Sequence, residues 1–505
     1  MYLRRKGNNS GTVSVQVIRK SHGRYKVLHS VGSATEEGDL LELERRGRAW
    51  ITHASMQSRL IDTERDQWAE SFIGSIGNDQ VRLIGPELVF GTRYDAMGYG
   101  ALDNPMLRHM VVARLAFPGS KLKTVDYLRR FQGVEVSVER LYRSLDKLDN
   151  LAKERIEAIT YAQAKAHMGG KASIVFYDMT TLHFESDEQD ELRVPGYSKS
   201  GKNQHPQVQL GLLVDPAGLP IAFDIFPGNL FEGHTLLPVL KRTAQRFALE
   251  KPIVVADAGL LSKDNIAVLQ RESYTYILGG RIKNENAAIK QRILQTTIDM
   301  DQHIELLRPD GARLIVHRSQ KRAAKDMHNR KRGLERLQRD LKSGRLTKAH
   351  INNKGYNRYL RLTGEIQVEI DQERFLADAA WDGLKGYVTN AKVPATDIID
   401  HYRQLWHIER AFRISKTDLK VRPIHHFLAR RIQAHLCVVF IAYAILKDME
   451  MVLKRPGVTI SLKRACELTA NMYQLLYTAP DSGQRRSSIL NPTAEQRLLL
   501  NALHQ

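Results

Sequence analysis

Apolar and polar residues alternate with period two over residues 12–18 (Thr-Val-Ser-Val-Gln-Val-Ile) and 25–28, on either side of Lys20-Ser-His-Gly23. That spacing predicts paired strands about a turn, a small β-module within residues 1–38. From 39 to 170 the apolar period is helical. Segments 120–130 and 137–148 are two candidate helices about Gln132-Gly133, and Val138, Leu141, Leu145 and Leu148 share one face of the second. The pair fits a helix-turn-helix with Glu139, Arg140 and Arg143 outward, or an ordinary helical hairpin, which the long connection favours. After Gly169-Gly170 the texture changes. Ile174-Val-Phe-Tyr-Asp178 and Ile253-Val-Val-Ala-Asp257 are apolar runs ending in an acid, as in buried strands. Between them lie strand-like runs 208–214 and 221–226, joined by Asp215-Pro-Ala-Gly218, and an amphipathic helix over 235–247. A short helix to Glu272 and a strand over 274–278 follow. The order βββαβαβ predicts a mixed sheet with helices against it.

Between Arg281 and Pro394 the pattern breaks into short strand-like runs (303–307, 312–316, 364–370, 385–390) around a charged helical stretch, expected to form an insertion domain over 282–394. Next comes one long helix, Thr-Asp-Ile-Ile-Asp-His-Tyr-Arg-Gln-Leu-Trp-His-Ile-Glu-Arg-Ala-Phe-Arg-Ile-Ser-Lys, from residue 396. The core is therefore expected over 171–281 and 395–435, after a helical region at 39–170. A helical, oligomer-forming region is expected over 436–505. The longest apolar run, Leu436 to Leu446, has eleven residues, against the ~20 a membrane span needs. It predicts a buried helix.

Charge sharpens the picture. The 505 residues carry 76 Lys and Arg against 56 Asp and Glu, a formal net charge of +20. Such an excess points to a polyanionic partner, nucleic acid before membrane. Residues 321–361 hold fourteen Lys or Arg against Asp326, Glu335 and Asp340. With good helix formers and no Pro, this reads as a basic helical arm ending near Ser343-Gly344. Lys331, Arg332, Arg336 and Arg339 are candidate phosphate contacts. Two cysteines, Cys437 and Cys466, exclude a disulfide framework or zinc finger. No signal-peptide pattern opens the sequence, so a cytoplasmic, nucleoid-associated protein is expected.

Three carboxylates carry candidate chemistry: Asp178 and Asp257 at strand ends, and Glu409 mid-helix. An acid at a strand end is commonly structural. The helix says more: Tyr402, Glu409 and Lys416, seven apart, drift only ~20° per step on a continuous helix and share a face. A carboxylate between an aromatic hydroxyl and a lysine can hold a metal beside a phosphate; the bland alternative is a Glu409–Arg413 surface pair. Hydrolysis and transesterification of phosphodiesters suit such a set. Hard oxygen ligands hold two divalent cations, Mg²⁺ or its substitute Mn²⁺, ~3.5–4 Å apart.

These stretches resemble the bacterial insertion-sequence DDE transposases of the Tyr-Arg-Glu-Lys signature group, with the retroviral-integrase or RNase H-like fold. The resemblance rests on Phe176-Tyr-Asp178, Gly196 to Lys202, Gln209 to Asp215, Val255 to Leu260, Asp382-Gly383, Val388-Thr-Asn390 and the 402–416 helix, in order over roughly 173–434. It implies Asp178, Asp257 and Glu409 as the catalytic, metal-binding triad, with Tyr402 and Lys416 gripping the backbone of double-stranded DNA. The signature's arginine position holds Leu405, and Arg403 or Arg413 can supply that contact. The insertion before Glu409 has its counterpart in relatives that carry a mostly β insertion there. The resemblance also implies cut-and-paste transposition. It extends to hairpin ends, because relatives with a Trp beside this Glu use them, and Trp406 stands in that place. Three residues before Glu409, its indole would hold an extruded base; a core position is the alternative. A homodimer on the DNA ends is expected.

Lys199 and Lys202 sit in Gly196-Tyr-Ser-Lys-Ser-Gly-Lys-Asn203, nearly a P-loop, yet Asn replaces the metal-binding Ser or Thr and no helix pattern follows. They are candidate DNA contacts instead. His425, His426 and His435 lie near Cys437 without zinc spacing. Two rival functions remain at this level: a catalytically silent DNA-binding derivative, which has no use for three acids, and an RNase H-like nuclease without strand transfer.

Overall fold

The structure, a computed structural model, describes residues 1–505 except 22–23, 170–173, 186, 198–203, 248–250, 261–262, 353–354, 364–366, 423, 480–481 and 505. The chain divides into two compact units, Met1–Arg82 with Gln474–Ser488, and Leu83–Tyr473 with Ile489–Gln505. In the first, Tyr2–Gly7, Val13–Ser21 and Arg24–Ala34 form an antiparallel sheet, and the alternation of 12–18 buries Val15 and Val17. A 38-residue helix, Glu37–Gly74, follows.

The second unit is built on an eight-stranded mixed sheet. Its strands are β1 (Ile174–His183), β2 (Gln207–Val214), β3 (Pro220–Pro227), β4 (Ile253–Ala256), β5 (Tyr276–Gly280), β6 (His303–Leu307), β7 (Arg313–Arg318) and β8 (Leu384–Thr389). They lie in the order β6-β7-β8-β5-β4-β1-β2-β3. The pairs β1–β4 and β4–β5 are parallel and the others antiparallel. The parallel strands are covered on both faces, so Val175, Phe176, Val254 and Val255 are wholly buried, which is why they read as unbroken apolar runs.

Six helices of this unit line its cavities. In chain order these are α1 (Lys121–Tyr127), α2 (Val138–Asp146), α3 (Gln320–Lys342), α4 (Ala395–Arg403), α5 (Trp406–Thr417) and α6 (Ala429–Leu453). The run 436–446 lies within α6, buried as expected, with Phe440 packed on Phe223 of β3 at 5.3 Å. Among the described residues no helix is long and apolar enough to cross a membrane.

Three features differ from the sequence expectation. The runs near 303–307, 312–316 and 385–390 become β6, β7 and β8 and extend the large sheet, with β8 pairing directly with β5. Their side chains are more apolar than an independent small domain requires: Leu314, Ile315, Val316 and Val388 are wholly buried. The long helix from residue 396 is two helices. Leu405 N–H donates to Tyr402 O and His407 N–H to Gln404 O, three-residue turns that tighten the chain between α4 and α5. Finally, the 436–505 region is not all helix, for Tyr473–Thr478 and Arg485–Ile489 pair as strands, as the aromatic and alternating Tyr-Gln-Leu-Leu-Tyr-Thr favours.

The basic arm forms as α3 and ends where expected, at Ser343 with Gly344 at φ +66°. Gly333 lets the Tyr356 ring lie against the helix, since a Cβ there would fall 2.2 Å from it. Leu337, Tyr359, Leu360 and Val368 make a small separate core around the arm. At its root, Ser319 N–H donates to Gly383 O (2.9 Å), Gly383 N–H to Asp326 Oδ2 (3.2 Å), and Arg330 pairs with Asp382.

Candidate active site

The parallel register pairs Phe176 with Val255 and Tyr177 with Ala256, so Asp178 and Asp257 are the next residues on adjacent strands. Asp257 is exposed where β4 ends, and Asp178 is half-buried in β1. On the far side of a cavity of about 330 Å³ stands Glu409 of α5, exposed and lining the same space as Asp257. Glu409 makes no ion pair with Arg413 among the described residues, which disposes of the surface-pair alternative.

Tyr402 is 4% exposed, and its hydroxyl donates to Asp257 Oδ1 at 2.9 Å. Burial and the Asp257 charge hold the phenol far above its ordinary range, so it stays a donor, and the Asp178 charge acts in the same direction. The phenol reaches Asp257 over Gly279 of β5, where a Cβ would lie 2.4 Å from the hydroxyl. Lys416 donates to Thr180 Oγ1 and so ties the end of α5 to β1, two residues beyond Asp178.

Trp406 is 48% exposed and lines the cavity with Asp257 and Glu409, while Leu405 and Phe412 are buried. The core alternative for Trp406 does not hold. Its ring stacks on His407 at 4.0 Å, with the Arg410 guanidinium 5.8 Å from its centroid. Arg413 is exposed on α5. Lys331, Arg332, Arg336 and Arg339 are exposed on α3, with Arg336 3.8 Å from Asp340. Lys199 and Lys202 lie outside the described residues. His425 is exposed, whereas His426, His435 and Cys437 are buried.

Two residues absent from the sequence expectations complete the cavity. Lys385 of β8 holds its ammonium 4.2 Å from the centroid of Tyr402, and Arg322 of α3 lies beside it. Burial and Arg322 press the Lys385 ammonium below its usual range; Asp257 and Glu409 pull it back. Both residues also line a neighbouring space of about 700 Å³ that runs toward the arm. A lysine in an otherwise apolar strand, Leu384-Lys-Gly-Tyr-Val-Thr389, was the available signal. Asn390, by contrast, is structural: its side chain accepts from Tyr276 N–H and donates to Tyr274 O, both at 2.9 Å.

The donors suit a hard divalent ion, being carboxylate oxygens, and Lys385 is the ammonium that Asp257 and Glu409 both act on in this cavity. As they stand, Glu409 and the Asp pair face one another without closing into one cluster. Among the described residues no three His, Cys, Asp or Glu side chains gather closely enough to hold a metal.

The fold is thus a mixed α/β sheet with acids at adjacent strand positions and a helical acid lining the same cavity as Asp257. Residues 169–445, more than half of the chain, match the family described as the transposase DDE domain, and the chain belongs to that family. No curated protein matches it. Similar solved structures include a piggyBac transposase synaptic complex with hairpin DNA, at 8% identity and TM-score 0.39, covering 73% of this chain and 70% of that one. Another is a Mos1 transposase paired-end complex with a left transposon end, at 15% identity and TM-score 0.16, covering 35% of this chain and 56% of that one.

Proposed function

We propose that this transposase cuts its element at the terminal inverted repeats and joins the 3′-OH ends to target DNA. The observation that carries the proposal is the placing of Asp178 and Asp257 at neighbouring positions of parallel strands, with Glu409 across the cavity from Asp257. The strand order β5-β4-β1-β2-β3, three antiparallel strands then two parallel ones, supports an RNase H-like core. Asp178, Asp257 and Glu409 would hold two Mg²⁺ or Mn²⁺ ions, which supply polarisation of the phosphodiester and of the attacking oxygen.

The protein's own groups do the rest. Tyr402 fixes the Asp257 carboxylate by its hydrogen bond. Lys385 and Arg322 put positive charge where a phosphate would enter the cavity. Trp406 offers an exposed ring for an unstacked base, as a hairpin at the element's end would require. Because an element has two ends, two copies of the chain provide one cavity for each.

The test is cleavage of duplex DNA carrying the element's ends. Nicking should require Mg²⁺ or Mn²⁺, and Asp178→Ala, Asp257→Ala and Glu409→Gln should each reduce cleavage to background while retaining end binding. Full cleavage in excess EDTA, or near-native cleavage by any of the three variants, would sink the assignment.

A further inference from the structure

Away from the catalytic cavity, the start of α1, helix α6 and the loop between α5 and α6 enclose a second space of about 380 Å³. Arg114, Lys121, His426 and His435 line it, each only 5–6% exposed, and Lys420 and Arg422 stand at its rim. No Asp or Glu occurs among the described residues that line it. Asp146, the nearby acid on α2, is already engaged by Arg430 and Arg431.

Such a cluster is out of balance by itself. Among the described residues, the hydrogen-bond partner of Arg114 is the Leu419 carbonyl, at 3.3 Å. His435 Nε2 meets the Val421 carbonyl at 3.2 Å, and its buried Nδ1 has no partner. The groups suppress one another: burial and then Arg114 push Lys121 down to about 7, and burial and then Lys121 push His426 down to about 3. Buried cations are ordinarily paired, because an uncompensated charge in a dry site costs several kcal/mol. Lys420 adds backbone strain, since it holds φ +45°, a conformation non-glycine residues avoid unless the surroundings impose it.

We infer that this pocket binds a phosphodiester group of the DNA backbone. The position of the pocket favours a DNA phosphate over a free anion, although the chemistry is shared. The loop that forms the rim continues α5 beyond Lys416, and Ile424 bridges to Phe184, the residue after β1. Phe184 lies six residues from Asp178, ~20 Å along an extended strand. At 3.4 Å per nucleotide on one strand, the contacted phosphate would fall roughly six nucleotides from the cleaved bond. The proposal rests on the transposase function above and adds a contact that fixes how DNA lies across the sheet.

The test uses the full chain, a random-sequence duplex and inorganic phosphate. Lys121→Met removes the buried charge at nearly constant shape. Arg422→Gln and Lys420→Gly act at the rim, where folding is not at stake, and glycine also accepts φ +45°. For the native protein, phosphate should raise the melting temperature above that in chloride of equal ionic strength, and each variant should lose that rise. Each variant should also lower the log–log salt slope of DNA binding by about 0.9, one phosphate contact. Stabilisation by phosphate with an unchanged DNA slope would mean a free-anion pocket and overturn the inference. So would no response in either assay. Failure of the native chain to bind DNA at all would remove the proposed function with it, whereas native binding with unaltered slopes would remove the pocket alone.

Discussion

A single hydroxyl organises the acids. Tyr402 donates to Asp257, and a hydrogen bond to a charged group contributes about 1.5–3 kcal/mol. Tyr402→Phe should therefore fold normally and lower the cleavage rate about tenfold or more. Gly279→Ala should reproduce that loss from the other side, because its methyl would lie 2.4 Å from the phenol oxygen and displace it. Single-turnover cleavage of both variants checks the point, and native rates in Gly279→Ala would refute it. Trp406 predicts a different pattern. With half its surface exposed, Trp406→Ala should leave the melting temperature and first-strand nicking unchanged. The hairpin-forming second step should disappear, as base–aromatic stacking contributes ~1–3 kcal/mol. Gels resolving nicked, hairpin and open ends give the answer, and normal hairpins would end the stacking proposal. The strands that carry Asp178 and lead to Asp257 were legible because apolar strands ending in Asp are a local pattern. Lys385 was not, for its neighbours Tyr402 and Arg322 come from α4 and α3 and meet it only in the folded sheet.

At the level of elements, the arm combines two properties. Its root is fastened to the Asp382-Gly383 turn, and Lys331, Arg332, Arg336 and Arg339 project into solvent. Neutralising those four together should reduce the salt slope of DNA binding by up to ~3–4 and weaken affinity for all sequences alike. An unchanged slope from filter-binding titrations would make α3 a solvated helix and nothing more. The helix itself was readable from composition, since a stretch rich in helix formers and without Pro runs to Ser343-Gly344. The partners of the flanking strands were not. The strand-like runs 303–307, 312–316 and 385–390 announce strands, but not that β8 pairs with β5 across the whole arm. Long-range pairing leaves no mark within a local window. The break between α4 and α5 was equally silent, because no Gly or Pro marks Gln404-Leu405.

At the scale of the whole molecule, one buried turn makes stability depend on pH. Asp215, between β2 and β3, is wholly buried; its Oδ1 accepts from Leu219 N–H at 2.7 Å, while Oδ2 has no partner. Burial raises its carboxyl to about 6 from an ordinary 3.8. The folded chain therefore holds a proton that the unfolded chain has released, and this contribution to stability falls as pH rises from about 4 to about 6. Asp215→Asn keeps the acceptor without the charge. Relative to the native protein it should gain stability across that window, by about 3 kcal/mol at neutral pH. Urea unfolding of both proteins near pH ~4 and pH ~7 measures the difference, and a constant gap would contradict it.

The interleaving of β8 into the sheet has one more consequence. A chain emerging from the ribosome presents Asp178 and Asp257 long before Lys385 and Glu409, with β6, β7 and the entire arm translated in between. Domains generally fold as their residues are completed, and β5 must wait for a neighbour more than a hundred residues downstream. Until that neighbour docks, β5 is an unfinished sheet edge, and the cavity that Asp257 shares with Lys385 and Glu409 is not formed. The cavity is therefore among the last parts of the sheet to be completed during synthesis.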